Sequence, residues 1–358
     1  MKQREILFSD NRKIEIYDDV FLAKDKLNFY EFAQNSNYKL ARSSTAIIED
    51  RGLSTLKCDL TFTELLRMGF FTAKEFYPIV LKMKTEGQRL SRSYINLCTS
   101  EDIFPYHTDC ADPEAKTILY YINTKWDPTW EGETHFSDES MIDILCSSSF
   151  IPGRFAVFNS TIPHKSSQPS SAAGQFRFTL ANKFVTRDTP KKWEDALDLH
   201  DLIIPPMESL SLTEYESKSI DHIFSLTHNT RHSLSTAFNH LSRTFRLIKG
   251  WGFDEHTTVA ALYHCTLGTN IYNHVCIPIS ELRSLLTQES VNVIESYRSI
   301  SGMSDADIET GYMKPEIKQK VLHIVYANAI EQMYRIGEFS KLVISTRNLI
   351  HKLGLNRE

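Results

Sequence analysis

The chain has 358 residues and a formal net charge of −5 at pH 7. Its 41% hydrophobic and 24% charged residues are typical of a globular protein and exclude a largely disordered chain, and its length favours two domains. Because it contains no dense Lys/Arg tract with interleaved aromatic residues, nucleic acid is a disfavoured partner.

The N-terminal segment, residues 1–20, carries charges throughout and lacks the apolar run of a signal peptide. No later stretch has enough apolar sequence to span a bilayer, so no membrane association is predicted. The six cysteines are scattered without a CxxC pair, which favours free thiols in a reducing compartment. We therefore expect a cytoplasmic protein.

Helical and strand-like patterns alternate in the first half of the chain. Residues 17–34 and 72–90 place apolar side chains at intervals of three and four, as amphipathic helices do, and residues 93–100 alternate like a strand. Further strands are predicted at 117–126, 132–137, 153–160 and 176–185. Short strands at this spacing predict a sandwich or a barrel.

The second half of the chain reads as successive amphipathic helices. The clearest patterns cover residues 220–252, 256–274 and 316–336. A polar, proline-bearing stretch precedes them, and we place the boundary near residue 205. The prediction is an α+β domain over 1–204 and an all-α domain over 205–358.

A possible metal site begins at the string YHTD, which contains His107 and Asp109, and is completed by His164 further along the chain. Two imidazoles and one carboxylate on one face of a metal form the facial triad of non-haem Fe(II) oxygenases. In an extended segment, residues two apart point the same way, so His107 and Asp109 can converge on one ion. A neighbouring strand would deliver His164.

Three further residues form a possible anion site. Arg177, on the strand after His164, carries a planar guanidinium that can hold a carboxylate in bidentate fashion. Thr179 lies two residues on and faces the same side, and the phenol of Tyr121 is in a position to reach the same anion. A surface arginine and a core tyrosine are the alternative interpretation of these residues.

The stretch from about residue 94 to 186 resembles the 2-oxoglutarate/Fe(II) oxygenase superfamily, closest in style to its prolyl-4-hydroxylase-like branch. The matching strings, in order, are YHTD, ILYYINTKWDPTWEGETHF, PGRFAVFNSTIPHKSSQP and FRFTLANKF. The resemblance implies a double-stranded β-helix, a jelly-roll or cupin-like core with the iron at its mouth.

The resemblance also implies the roles of single residues. His107, Asp109 and His164 match the Fe(II) ligands, and O2 is a cosubstrate. Arg177 matches the residue that binds the distal carboxylate of 2-oxoglutarate, and Lys183 lies too late on the strand to replace it. Tyr121 and Thr179 match residues that assist this cosubstrate.

The implied reaction couples decarboxylation of 2-oxoglutarate to oxidation of a substrate, with release of succinate and CO2. Related halogenases replace the carboxylate ligand with a small residue, so the intact Asp109 indicates hydroxylation, desaturation or demethylation. The expected substrate is a small molecule or an amino-acid-like compound.

The helical half distantly resembles an HD-like fold, with His240 and His264 as the first histidines of that superfamily. The aspartate that should follow the second histidine is Cys265. A second metal site on His240, His264, His274 and His323 is therefore disfavoured, and packing histidines are expected instead. This half of the chain is expected to cover the oxygenase mouth, bind substrate or form a homodimer.

Two other functions stay open. The protein can be a protein hydroxylase that recruits a polypeptide through its helical half, or a non-catalytic binding or sensing protein. The intact triad and the arginine argue against the second alternative, because a site without chemistry has no need to keep these residue types together.

Overall fold

A computed structural model of the protein describes residues 2–42, 54–60, 64–65, 68–186, 203–232, 235–268, 276–336 and 340–356. The chain divides into two units by its internal contacts, Met1–His200 and Asp201–Glu358. Each unit is described separately below.

Strands dominate the described part of unit 1. Their bounds are β1 (Lys2–Leu7), β2 (Lys13–Asp18), β3 (Lys39–Arg42), β4 (Ser54–Asp59), β5 (Arg89–Cys98), β6 (Lys116–Tyr121), β7 (Thr134–Ser137), β8 (Ile144–Ser148), β9 (Phe155–Asn159), β10 (His164–Ser166) and β11 (Arg177–Val185).

These strands form two sheets. The larger sheet has the order β1-β2-β9-β6-β11-β5-β4-β3, and the smaller has the order β10-β7-β8. Every pairing within them is antiparallel. This arrangement fits the predicted β core, and the double-stranded β-helix path through it stays a prediction.

Helices cover one face of the larger sheet. They are α1 (Ala23–Gln34) and α2 (Tyr77–Thr85), with single 3-10 turns at Phe70–Thr72, Lys74–Phe76, Pro128–Trp130 and Ser171–Ala173. Phe29 of α1 packs edge-on against Tyr120 of β6, with ring centroids 5.6 Å apart. Because neighbouring strand residues point to opposite faces, Tyr121 then points toward the smaller sheet, where its hydroxyl meets Thr134.

The start of the first helix differs from the prediction. The apolar pattern predicts a helix over residues 17–34, but Tyr17 lies in β2, which pairs with β9, and the helix begins only at Ala23. Asp19, directly after the strand, has a φ of 55°, in the left-handed region, which ends the strand before the helix begins. Pairing with a distant strand overrides the local pattern here.

Unit 2 is built mainly of helices. Their bounds are α3 (Glu214–Thr227), α4 (Ala237–Gly250), α5 (Glu255–Leu262), α6 (Ile279–Leu285), α7 (Gln288–Ile300), α8 (Asp305–Thr310), α9 (Pro315–Ile336) and α10 (Ser340–Lys352), with a 3-10 turn at Met207–Ser209. The all-α prediction missed a short hairpin of β12 (Arg231–His232) and β13 (Ser235–Thr236) inside the segment predicted as helical. Among the described helices, none combines the length and the apolar character that crossing a bilayer requires.

A buried carboxylate ties three segments of unit 2 together. Glu216 is fully buried and accepts hydrogen bonds from Lys249 Nζ, at 2.8 and 2.9 Å, and from Thr258 Oγ1, at 2.7 Å. Its side chain also completes the capping box of α3 by accepting from the Thr213 N–H. Burial would raise the pKa of Glu216, but the bonds from Lys249 and Thr258 outweigh burial, so its net pKa is lowered.

Replacing Glu216 with Gln should lower the free energy of unfolding of unit 2 by about 2–3 kcal/mol at pH 7, because Lys249 loses its buried counter-charge. The folded pKa lies below the unfolded one. The wild-type advantage should therefore be complete above the unfolded value of about 4.3 and disappear as the pH falls through the folded value.

Urea unfolding of both proteins across this pH range measures the difference. Glu214→Gln is the matched control, since Glu214 is an exposed first-turn carboxylate of the same helix. Equal losses in the two variants, or a Glu216→Gln loss that does not change with pH, would contradict this account.

Candidate functional site

The two histidines of the predicted triad are joined through their backbones. The N–H of His107 donates to the carbonyl of His164 at 3.0 Å, and the N–H of His164 donates back at 2.9 Å. This antiparallel bridge places the two ring centroids 4.5 Å apart. Residues far apart in sequence are thus fixed as neighbours by the main chain.

Both imidazoles present the same ring nitrogen to Asp109. Nδ1 of His107 lies 3.1 Å from the Pro105 carbonyl, and Nδ1 of His164 lies 2.9 Å from the Ile162 carbonyl. The Nε2 atoms lie 3.6 and 3.5 Å from the two carboxylate oxygens of Asp109. Metal-binding histidines commonly donate their other ring N–H to a carbonyl or carboxylate, as these two do.

Asp109 is held by its backbone and by its carboxylate. Its N–H donates to the Ser160 carbonyl at 2.8 Å, Thr117 Oγ1 donates to Oδ2 at 2.6 Å, and the Lys183 ammonium contacts the same oxygen. Burial would raise the pKa of Asp109, but Lys183, followed by the two imidazoles, lowers it, and the net shift is downward. The carboxylate is therefore ionised, as a metal ligand must be.

One ligand atom each from His107, Asp109 and His164 lies within 4.8 Å of the other two. Burial lowers the pKa of His164 to about 3, so this ring is neutral and can bind a cation. Two imidazoles and one carboxylate suit Fe(II) by ligand type and number. The residues present therefore fit the metal that the sequence implies.

Arg177 is buried in the same region and is held from both sides. Its Nε donates to the Gly132 carbonyl at 2.8 Å, and the residue is 2% exposed. The Asn123 side-chain amide bonds to the two residues that flank Arg177. It accepts from the Phe178 N–H and donates to the Phe176 carbonyl, both at 2.8 Å. The described residues provide no hydrogen-bond partner for the buried Nη2 of Arg177.

Aromatic rings form the wall behind Arg177. Its guanidinium carbon lies 4.9 Å from the Phe150 ring centroid and 5.7 Å from that of Tyr121. Trp126 also packs against Phe150, with ring centroids 4.5 Å apart. The Tyr121 hydroxyl is bonded to Thr134 and to the Ser148 carbonyl, so this phenol supports the wall and does not line the cavity.

A cavity of about 80 Å³ is shared by two of the predicted metal ligands and the arginine. It is lined by His107 and His164 and by Arg177, Thr179 and Lys183 of β11. The last three alternate along the strand and therefore share one face. Both sheets contribute residues to its lining.

Two larger cavities of unit 1, about 700 and 550 Å³, contain none of the predicted ligands. The first is lined by residues such as Asn28 and Met68, and the second by residues such as Tyr30 and Phe176. Chemistry and not size therefore identifies the candidate site.

Sequence reasoning missed several residues of this site. The sequence analysis considers Lys183 only as a substitute for Arg177, but its ammonium pairs with Asp109. The alternation of β11 could have indicated this, because Lys183 lies on the same face of the strand as Arg177 and Thr179. The roles of Thr117 and of the Gly132 carbonyl depend on strand register, for which the sequence carries no marker.

The histidines named for a second metal site do not all lie together in the described part of unit 2. His240 and His264 lie together, with ring centroids 5.1 Å apart. His323 packs against Phe253 instead, at 4.9 Å, and His274 lies outside the described residues.

Comparisons with known proteins match parts of the chain. Residues 225–299 match the model of a family described as Domain of unknown function (DUF6817), and no curated protein matches in sequence. Similar solved structures include HygX from Streptomyces hygroscopicus with nickel and 2-oxoglutarate bound (10% identity, 51% of this chain and 86% of that one, TM-score 0.36). A 2OG-Fe(II) oxygenase family oxidoreductase from Burkholderia pseudomallei (12%, 48% and 84%, 0.37) and a prolyl-4-hydroxylase from Pseudomonas putida (15%, 49% and 92%, 0.34) are also similar. These likenesses are too weak to transfer an activity.

Replacing Lys183 with Met should destabilise the metal-free protein by about 3 kcal/mol, because Asp109 loses its buried counter-charge. A divalent cation would then supply the missing charge, so Mn(II) should raise the melting temperature of the variant more than that of the wild type. Thermal unfolding with and without Mn(II) measures both effects.

Lys57→Met is the matched control, since Lys57 lines the same cavity with its ammonium over the Tyr94 ring. The same gain from Mn(II) in both variants would show that the Lys183 contact has no special part in balancing Asp109.

Proposed function

We propose that the protein is an Fe(II)- and 2-oxoglutarate-dependent oxygenase that hydroxylates a small-molecule or amino-acid-like substrate. The observation that carries the proposal is one cavity lined by His107 and His164, which form a cluster with Asp109, and by the buried Arg177. Fe(II) held by these residues would allow O2 to oxidise a substrate C–H bond while 2-oxoglutarate is converted to succinate and CO2.

His107, Asp109 and His164 would hold the metal and leave it open to other molecules. His107 and His164 keep their Nε2 atoms aimed at one point because carbonyls hold their Nδ1 atoms. Asp109 supplies the negative charge of the set. Its retention favours hydroxylation over halogenation, on the resemblance to the oxygenase superfamily.

Arg177 is suited to bind the distal carboxylate of 2-oxoglutarate. A buried guanidinium nitrogen without a hydrogen-bond partner costs folding free energy, and an anion in the cavity would remove that cost. Burial lowers the pKa of Arg177, but the ordinary pKa of a guanidinium is so high that Arg177 stays charged at neutral pH. A non-catalytic protein would have no evident use for this arrangement.

Solvent and substrate reach the cluster from the His107 side. The His107 side chain is 32% exposed, whereas those of Asp109 and His164 are 4% and 8% exposed. The cavity of about 80 Å³ lies well below the usual range of about 300–1,000 Å³ for drug-sized ligands. We infer that it holds the cosubstrate, and that the substrate binds over His107.

The first test is an anaerobic titration with Fe(II) and 2-oxoglutarate, followed by the weak visible band of the chelate. The wild type should show the band, and Arg177→Gln should bind 2-oxoglutarate about 10–100-fold more weakly while still binding metal. The reason is the loss of a charge-assisted pair with the distal carboxylate.

Arg154→Gln is the control. Arg154 is also buried in unit 1, but it pairs with Asp18 and does not line the cavity. The oxoglutarate assignment fails if the wild type shows no band despite bound iron. The assignment to Arg177 fails if both variants weaken the cosubstrate equally.

A second prediction concerns Gly132, whose carbonyl holds Arg177. Its φ is +87°, and a Cβ atom there would lie 3.2 Å from Arg177 Cδ and 3.3 Å from Nε. Gly132→Ala should therefore displace the guanidinium and raise the Kd for 2-oxoglutarate several-fold, with unchanged metal affinity.

Calorimetric titration of the Mn(II)-loaded protein with 2-oxoglutarate measures this change. Gly87→Ala is the control, because Gly87 has a similar φ of +71° and no atom within 4 Å of the added Cβ. If both alanine variants weaken binding alike, backbone strain and not the Arg177 contact is responsible.

A further inference from the structure

Unit 2 contains a second cluster of metal-binding residue types. One ligand atom each from His240, His264 and Cys265 lies within 4.8 Å of the other two. Their exposed fractions are 2%, 2% and 5%. The sequence suggested that Cys265 removes a ligand, but the structure places its thiol in the cluster.

A helix and the turn after a second helix position the three side chains. His240 lies in α4, and His264 and Cys265 lie in the turn that follows α5. A hydrogen-bond contact of 2.7 Å joins His264 Nδ1 to the Ala261 carbonyl and holds that ring against the helix end. This contact ties the turn to α5.

His240 is oriented by groups on two sides. Its Nδ1 lies 2.5 Å from Glu331 Oε2, and Glu331 of α9 is fully buried. The His232 ring stacks on the His240 ring, with centroids 4.4 Å apart and an angle of 5° between the ring planes. An imidazole whose Nδ1 is held by a carboxylate or a carbonyl binds a cation through Nε2, and His240 and His264 both have this arrangement.

The buried groups beside the cluster favour a bound cation. Glu331 pairs with His240 and lies 3.7 Å from the Arg243 guanidinium, whose side chain is 39% exposed. A cation bound by His240 would be one imidazole away from this buried carboxylate, whose negative charge would stabilise it. Metal binding therefore explains both the residue types and their burial.

We propose that unit 2 binds a divalent transition metal, zinc by preference, through His240, His264 and Cys265, with Glu331 orienting His240. A thiolate with imidazoles favours zinc over Mg²⁺ or Ca²⁺. Zinc is normally four-coordinate, so this set leaves one position for a water or another ligand. The cluster in unit 1 has a carboxylate in place of the thiolate, so the two sites differ in chemistry.

The test uses the full chain with Asp109→Ala, which removes a ligand of the first cluster and makes the outcome independent of the proposed oxygenase. After loading with zinc and removal of excess ion, elemental analysis should find one zinc per chain. Titration with Co(II) should give an intense near-ultraviolet thiolate-to-cobalt absorption, which zinc abolishes by competition.

Cys265→Ser in the same background should lose this absorption. Cys110→Ser should keep it, since Cys110 is a half-buried thiol next to the first cluster. Glu331→Gln retains all three ligands, so it should keep the absorption while weakening cobalt binding about 10–100-fold.

Two results would overturn the proposal. One is the absence of stoichiometric zinc in the Asp109→Ala protein, a measurement that does not require Cys265 to be changed. The other is a thiolate absorption that persists in Cys265→Ser. Circular dichroism of each variant separates loss of the site from loss of the fold.

Discussion

The pair of backbone hydrogen bonds between His107 and His164 is the constraint on which the candidate site depends. It fixes the two imidazoles relative to each other through the main chain. Asp109 follows two positions after His107, and its own N–H is bound by the Ser160 carbonyl. Because the backbone sets this geometry, removing one ligand side chain should leave the other two in place.

Much of the site follows from local sequence. The spacing of His107 and Asp109 predicts side chains on one side of an extended segment, and the alternation after Arg177 predicts a strand with one inward face. The structure places His107, His164 and Arg177 around one cavity, with Asp109 beside the two histidines. The resemblance of the surrounding strings to the oxygenase superfamily predicts the order in which ligands, arginine and strands follow along the chain. Residue chemistry alone does not predict that order.

The rest depends on contacts between distant segments. Lys183 pairs with Asp109 because β11 lies beside β6 in the larger sheet. The Gly132 carbonyl accepts a hydrogen bond from Arg177, a residue 45 positions later in the chain. The extension of β2 through Tyr17 has the same origin, since pairing with β9 overrides a helical pattern. Strand register is a property of the folded sheet, and no local motif in this chain encodes it.

The two clusters share one design, in which a carbonyl or carboxylate holds Nδ1 of each histidine. They differ in how the anionic member is balanced. In unit 1 the ammonium of Lys183 already sits against Asp109, so the chain carries a cation of its own at the position where charge is needed. If this cluster binds a metal, as we propose, maturation can follow a fixed order in which the polypeptide folds first and the metal binds later. A newly made chain would not need the metal in order to reach its native fold.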